Sequence, residues 1–393
     1  MTDYQKSLKA FQRTSTATIA DTEFKMRIEE LQTRMLLNGV RAVWLDASSS
    51  LTYYTGLSLG LSERVHGALI PASGPITYVS PYFEEPKLRT LLRIPGDIVV
   101  WHEHDDPFTL IAGLVASLSG SDNSLALDPA TPFVFASALM GSLVGMSVIS
   151  AQPMIAAQRQ IKSVTEIALI QAAMDASYAV QKAVHAGLRT GISTVEVANF
   201  VNQAHLALGL QPQFVAVQFG AATAYPHGVP YAQNLADGDM VLIDLGGSLH
   251  GYQSDITRTY VFGSATARQR QLWALEHQAH RAAFNAAQLG ATCGSVDAAA
   301  RRVLTEAGFG PGYQVPGLPH RTGHGLGLNG HEEPYIVQGN TTRLAPGMCF
   351  SIEPMLCVYG ECGVRLEDIA YMTEAGPRWF STPAECPEQP FGV

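Results

Sequence analysis

The chain is poor in charge. Only 15% of its 393 residues are Asp, Glu, Lys or Arg, against about 25% in an ordinary soluble domain. The charge present leans acidic, with 34 Asp and Glu against 25 Lys and Arg, for a net −9. No lysine- or arginine-rich run occurs. Nucleic acid and anionic membrane need clustered cations, so neither is an expected partner. Disorder is excluded as well, because 47% of the residues are apolar and a disordered chain combines low hydrophobicity with high charge. Cysteine is scarce. The five present are odd in number and include no Cys-x-x-Cys pair, which argues against a disulfide framework and for reduced thiols in the cytoplasm. The start, MTDYQKSLKAFQR, lacks the apolar core of a signal peptide. From Pro129 to Gln158 no residue is charged. Ser137, Gly141, Ser142, Gly145 and Ser147 interrupt that stretch and Pro153 follows, so it reads as a buried helix plus strand and not as a membrane span.

The length suggests two or three domains, at about 150 residues each. Residues 22–38 place Met26, Ile28, Leu31, Met35 and Leu36 at helical spacing, and Gly39 ends the helix. Strand-like runs follow at 40–45, 68–70, 76–79 and 98–101, with helical runs at 84–93, 107–118 and 134–144. Alternation of this kind predicts an α/β layer structure over residues 1–157. A polar seam, QRQIKSV, opens the remainder, residues 158–393. There Thr165 and Ser193 are expected to cap two helices, with Glu166 in the first turn of the first. Strands at 213–262, helices at 265–288 and 295–307 and strands at 320–373 complete an α+β pattern of two similar halves.

In each half a strand runs through Ile into a carboxylate, Ile243-Asp244 and Ile352-Glu353. In each, the chain then returns to a second one, at Asp255 and Glu367. Read as hairpins, Asp244 opposes Asp255 about a Gly246–Gly251 turn and Glu353 opposes Glu367 about Gly360. Carboxylates placed side by side repel unless a cation lies between them. Arg258 and Arg365 are the nearest cations in sequence, and they do not match all four acids. Histidine supplies a second ligand type: His324 within HRTGHGLGL, His320 before it, His331 in HEEP and His227 in YPHG. Four carboxylates and an imidazole suit two divalent ions of the manganese, cobalt, iron or zinc kind. The G-x-G-x-x-G at 325–330 opens no helix and is set aside as a nucleotide fingerprint. His277 and His280 read as surface histidines.

The ordered set YPHG, VLIDLGG, SDITRTY, HRTGHGLGL…HEEP, PGMCFSIEP and GVRLED resembles the pita-bread metallopeptidases. That family comprises prolidase (Xaa-Pro dipeptidase), aminopeptidase P, methionine aminopeptidase and creatinase-like relatives. The resemblance implies a duplicated, pseudo-two-fold catalytic domain behind a smaller creatinase-like α/β domain. It implies two metal ions, most simply Mn2+ with Co2+ or Zn2+ as alternatives. Asp244 would bind one ion, Asp255 and Glu367 would bridge the pair, and His324 and Glu353 would complete the second. A metal-bridging hydroxide would attack the substrate, with Glu353 as proton shuttle. His227, His320, His331 and Arg365 stand where the family keeps substrate- and transition-state-binding groups. Leu249 occupies a hairpin position where many prolidase-like members carry Tyr. The implied activity is hydrolysis of Xaa-Pro dipeptides by a homodimer. The alternatives are aminopeptidase P-type cleavage of longer peptides, or action on a small non-peptide compound. Arg321, Arg343 and Arg365 are all available to anchor a substrate carboxylate.

Overall fold

The computed structural model describes Leu8, Phe11, residues 15–120 and residues 122–391. These form two compact units: Ile19–Arg159 is one, and the residues from Gln160 onward, together with the described residues before Ile19, are the other.

In the first unit, helix α1 (Asp21–Leu37) buries Phe24, Ile28, Leu31 and Met35. The chain leaves it through Gly39 at φ +64, a left-handed conformation that costs glycine little. A mixed six-stranded sheet follows, built from β1 (Ala42–Leu45), β2 (Gly67–Pro71), β3 (Ile76–Pro81), β4 (Gly96–Trp101), β5 (Ser124–Leu127) and β6 (Ser147–Ser150), in the order β4-β3-β2-β1-β5-β6. Helices α2 (Ser49–Thr55), α3 (Glu85–Leu91), α4 (Pro107–Ser117), α5 (Phe133–Ser142) and α6 (Gln152–Arg159) complete the α/β layers. Ile111, Val115, Phe135 and Leu139 close a core over Trp44 and Leu125. The uncharged stretch is a helix, a strand and a further helix, but it is not fully buried as expected. Phe133 is 81% and Val134 66% exposed, and β6, which the stretch also forms, is the outermost strand. Among the described residues no helix is long and apolar enough to cross a membrane.

The second unit repeats an order of helix pair, then strands. Its first half contains α7 (Val164–Gly187), α8 (Thr194–Ala207), β7 (Gln211–Phe219), β8 (Met240–Leu249), β9 (Tyr252–Gln253) and β10 (Ile256–Val261). The second contains α9 (Ala267–Ala286), α10 (Cys293–Glu306), β11 (Gly323–Gly325), β12 (Glu332–Ile336), β13 (Cys349–Ile352), β14 (Met355–Val358), β15 (Cys362–Arg365), β16 (Asp368–Thr373) and β17 (Gly376–Trp379). Ser163, not Thr165, caps α7, and Glu166 closes the reciprocal capping box. A box needs its Glu three residues past the cap, and only Ser163 has that spacing. Ser193 and Glu196 form the same box on α8, as expected of Ser193.

The two hairpins set the positions of the acids. Asp244 pairs with Thr257 and Leu245 with Ile256, so Asp255 does not lie directly opposite Asp244. The turn is only His250-Gly251, at φ +50 and +86, the two-residue geometry that suits a twisted hairpin. The long turn read from the glycines is therefore mostly ladder, and the register shifts by two residues. Because that shift is even, Asp255 stays on the face of Asp244 as a diagonal neighbour. In the second half, Ile352 pairs with Asp368 and Met355 with Arg365. One register spans both pairs and sets Glu353 across from Glu367, as expected.

Candidate metal centre

Each acid stands within or beside the end of a largely buried strand. Asp244 is central in β8, Asp255 precedes β10, Glu353 follows β13 and Glu367 precedes β16. His324 is the middle residue of β11. Strand pairing brings the five together at the floor of a cavity of about 800 Å3. Asp244, Asp255 and Glu367 each place a ligand atom within 4.8 Å of the others, as do His324, Glu353 and Glu367. Glu367 belongs to both sets. A third set joins His331 to Asp255 and His324, with the two imidazole rings 3.8 Å apart.

The His324 ring faces the acids with Nε2, which lies 3.0 Å from Glu353 Oε1, 3.7 Å from Asp255 Oδ2 and 4.0 Å from Glu367 Oε1. Its Nδ1 lies 3.1 Å from the Gly325 carbonyl. An Nδ1–H donated to that carbonyl leaves the Nε2 lone pair directed at three carboxylates, which is repulsive unless a cation lies between them. Asp244 Oδ1 and Glu367 Oε1 are buried with no hydrogen-bond partner among the described residues. An orphaned buried oxygen needs a partner, and a divalent ion meets this need. The donor set, oxygens plus one imidazole, fits such ions.

The electrostatics lead to the same conclusion. Burial, reinforced by Glu367, pushes the Asp255 carboxyl well above its ordinary 3.8. Burial, reinforced by Glu353 and Asp244, pushes Glu367 well above 4.5. Burial also raises Asp244, against the pull of Arg365. Glu353 goes the other way. Burial would raise it, but His324, His320 and Arg365 together outweigh this and hold it at about 2. Burial and His324 lower His331 to about 4, and burial also lowers His320.

These directions predict a pH-dependent stability. A carboxyl whose folded pKa is raised stabilises most below its unfolded value, and that contribution is lost as pH rises through the folded pKa. Glu353 acts only as pH falls from 4.5 toward 2. Above about pH 6.5 the lowered histidines are neutral in both states, and the metal-free protein is expected to melt at progressively lower temperature as pH rises further. Saturating Mn2+ is expected to cancel the decline, because ions bind the deprotonated ligands. Melting curves with chelator and with added ion test this, and a flat chelated profile refutes it.

Arg365 lines the cavity but is already engaged there. It donates to Asp244 Oδ2 at 2.8 Å and to the Pro226 carbonyl at 3.0 Å. Arg258, the other cation expected near the acids, pairs with Asp368 instead. Arg343 bonds the Gly290 carbonyl and does not line the cavity. Arg321 does, stacked over the Tyr335 ring at 4.4 Å. His227 and His320 also line it. Sequence reasoning missed Thr257 and Ser351. Thr257 Oγ1 donates to Glu367 Oε2 (2.7 Å) and accepts from Arg365 Nε (3.2 Å). Ser351 Oγ donates to Glu353 Oε1 (3.1 Å) and accepts from the His324 N–H (2.9 Å). Each stands two residues from a ligand on its own strand, so period-two alternation was the available signal. The cavity's Phe214 and Tyr225 were missed as well. Leu249 is buried at the end of β8, paired with Tyr252.

Residues 168–374 match the family model of metallopeptidase family M24, and residues 27–161 match the creatinase/prolidase N-terminal domain. The probable dipeptidase PepE of Mycobacterium tuberculosis is 36% identical over 342 residues, covering 86% of this chain and 89% of its own. The Xaa-Pro dipeptidase of Lactobacillus helveticus is 30% identical, covering 91% of this chain and 96% of its own. The crystal structure of dipeptidase PepE from Mycobacterium ulcerans superposes with a TM-score of 0.86 at 32% identity, covering 95% of this chain and 98% of that one. The chain therefore belongs to metallopeptidase family M24, with a creatinase/prolidase-type domain preceding its pita-bread domain.

Proposed function

We propose that the protein hydrolyses Xaa-Pro dipeptides using two divalent ions, Mn2+ by preference, with Co2+ or Zn2+ as working substitutes. The observation that carries this reading is one cavity, of a size that suits a small ligand. Its floor holds two ligand sets sharing Glu367, and its wall holds an arginine in no ion pair among the described residues. Asp244 would hold one ion, Asp255 and Glu367 both, and His324 and Glu353 the other. When bound, such ions supply a water acidic enough to ionise near neutral pH and a Lewis acid for the scissile carbonyl.

The side chains do the rest. Glu353 accepts the proton of the attacking water at its carboxylate and passes it to the prolyl nitrogen. His331 is neutral at pH 7 and donates a ring N–H to the developing oxyanion. His320 Nδ1 lies 2.6 Å from the Arg321 carbonyl. Donating there, the neutral ring offers Nε2 only as an acceptor, so we assign His320 to substrate N–H groups and leave the oxyanion to His331. His227 lines the substrate side of the cavity. Arg321 takes the dipeptide carboxylate, since Arg365 and Arg343 are already engaged. We further take residues 158–393 as the catalytic domain, residues 1–157 as its N-terminal companion, and the working form as a cytoplasmic homodimer. Five free thiols suit a reducing compartment.

The test is a peptide panel with metal-depleted and reconstituted enzyme. Ala-Pro is expected to be cleaved faster than Ala-Pro-Ala, and only with metal. Arg321→Ala is expected to raise KM for Ala-Pro by about tenfold or more, the effect of losing a charged hydrogen bond. Preference for the tripeptide would move the assignment to aminopeptidase P-type cleavage. No cleavage of either by loaded enzyme would point to a small non-peptide substrate.

A further inference from the structure

Lys162 lies in the polar seam that the metal centre does not use. Its side chain is 1% exposed and that of Glu332 is 9% exposed, with Nζ 2.6 Å from Oε1. A buried ion pair is a poor source of net stability, so its presence invites a positional explanation.

The backbone of Lys162 is fixed on both sides. Ile161 bridges to Met348, the Lys162 N–H donates to the Gly347 carbonyl at 2.8 Å, and Ser163 caps α7. The ammonium is therefore a fixed post. Glu332, its partner, directly follows His331. The other Glu332 oxygen accepts from the Asn329 N–H at 3.4 Å. The pair packs against Gly327, where any Cβ would collide with the Glu332 carboxylate and Lys162 Cε. From the other side, Gln253 donates its N–H to the Gly327 carbonyl (2.8 Å) and its Nε2 to that of Leu328 (3.3 Å). The glycine-rich loop 325–330 is thus wrapped around the ion pair, and His331 emerges from it against His324.

We propose that Lys162 is a positioning residue for His331: its buried pair with Glu332 sets the loop so that the His331 ring stands over His324 at the cavity. The inference rests on the role given to His331 above. Lys162 itself touches neither substrate nor metal ligands. Its loss is expected to lower kcat more than to raise KM, because it acts through a group that binds the transition state.

The experiment is a double-mutant cycle on metal-loaded enzyme with Ala-Pro, run with Lys162→Met, His331→Ala and both together. Lys162→Met is expected to lower kcat by about 10- to 100-fold, the range seen for outer partners of active-site groups, with bound metal unchanged. In the His331→Ala background it is expected to cost nothing more, because contacting residues in one chain of action are non-additive. Lys162→Met alone strands a buried carboxylate, so Lys162→Met/Glu332→Gln is the folding control. That variant is expected to recover the melting temperature but not kcat. Equal losses from Lys162→Met with and without His331 would overturn the proposal while leaving the role of His331 standing. Unchanged kcat in the folded double variant would also overturn it. Full turnover by His331→Ala would remove both.

Discussion

Asp255→Asn is expected to abolish hydrolysis while making the metal-free protein more stable at neutral pH. The two effects have one cause. Asp255 is buried among Glu367, Asp244 and Glu353, and burial and repulsion hold its carboxyl far above the ordinary range. At pH 7 its charge is therefore a burden on the native state unless a cation compensates it. An amide keeps the shape and removes the burden, so the chelated variant should melt above chelated wild type. The same amide is a poor ligand in the position proposed to serve both ions. Loss of turnover should exceed the 10- to 100-fold typical of outer partners and reach about 10³-fold or more. Bound manganese should fall below the wild-type stoichiometry. The measurements are kcat/KM on Ala-Pro, metal content after desalting, and melting temperature with chelator and with ion. A variant that retains both its metal and its turnover would show that Asp255 is not a ligand. A variant that melts lower when chelated would mean that its carboxylate has a structural partner instead.

The four acids that meet in one cavity were legible because strands impose simple rules, whereas the choice of His324 as their imidazole partner came from the resemblance to the metallopeptidases. A carboxylate after an apolar run has few uses, and finding the pattern twice, with a histidine in a glycine-rich segment between, left little beyond cations. The helices were legible too, from their spacing and caps. Register was less so. The Asp244 hairpin turns at His250-Gly251, and nothing in GGSLHGY says that His250 takes the left-handed backbone while the earlier glycines stay in the ladder. Ownership of the arginines was not legible at all. Arg258 and Arg365 lie on paired or neighbouring strands, yet one faces Asp368 and the other Asp244, a distinction set by tertiary packing. His280 was misjudged for a related reason. It follows Glu276 by one helical turn on α9 and is buried with its ring stacked on Trp379 at 4.9 Å, a partner nearly a hundred residues away. Local polarity marked it as surface, but the opposite strand determines which face of α9 is covered.

Arg258→Met is expected to be the most destabilising single change in the catalytic unit. The guanidinium is wholly buried. It pairs with Asp368 at 2.7 Å and donates to the carbonyls of Thr257 (3.0 Å), Glu367 (2.8 Å) and Thr382 (2.8 Å). It thereby joins β10 to the start of β16, the two segments that carry Asp255 and Glu367. Methionine fills much of the volume but supplies none of these donors. Asp368 would be left buried with only Ser381 and the His280 ring, whose Nε2 lies 3.6 Å away. That ring is held neutral by burial and by Arg258 itself, at about 3. Breaking a buried pair from one side costs about 3–5 kcal/mol, and each abandoned carbonyl adds to it. In a domain of this size the melting temperature should fall by roughly 10 °C or more. Adding Asp368→Asn should recover part of the loss, because the stranded charge disappears while the carbonyls stay unpaired. Thermal unfolding of wild type and the single and double variants decides the matter. If Asp368→Asn lowers the melting temperature of the Arg258→Met protein further, the cost does not come from an unpaired carboxylate, and the Arg258–Asp368 pair is not what joins the two ligand-bearing strands.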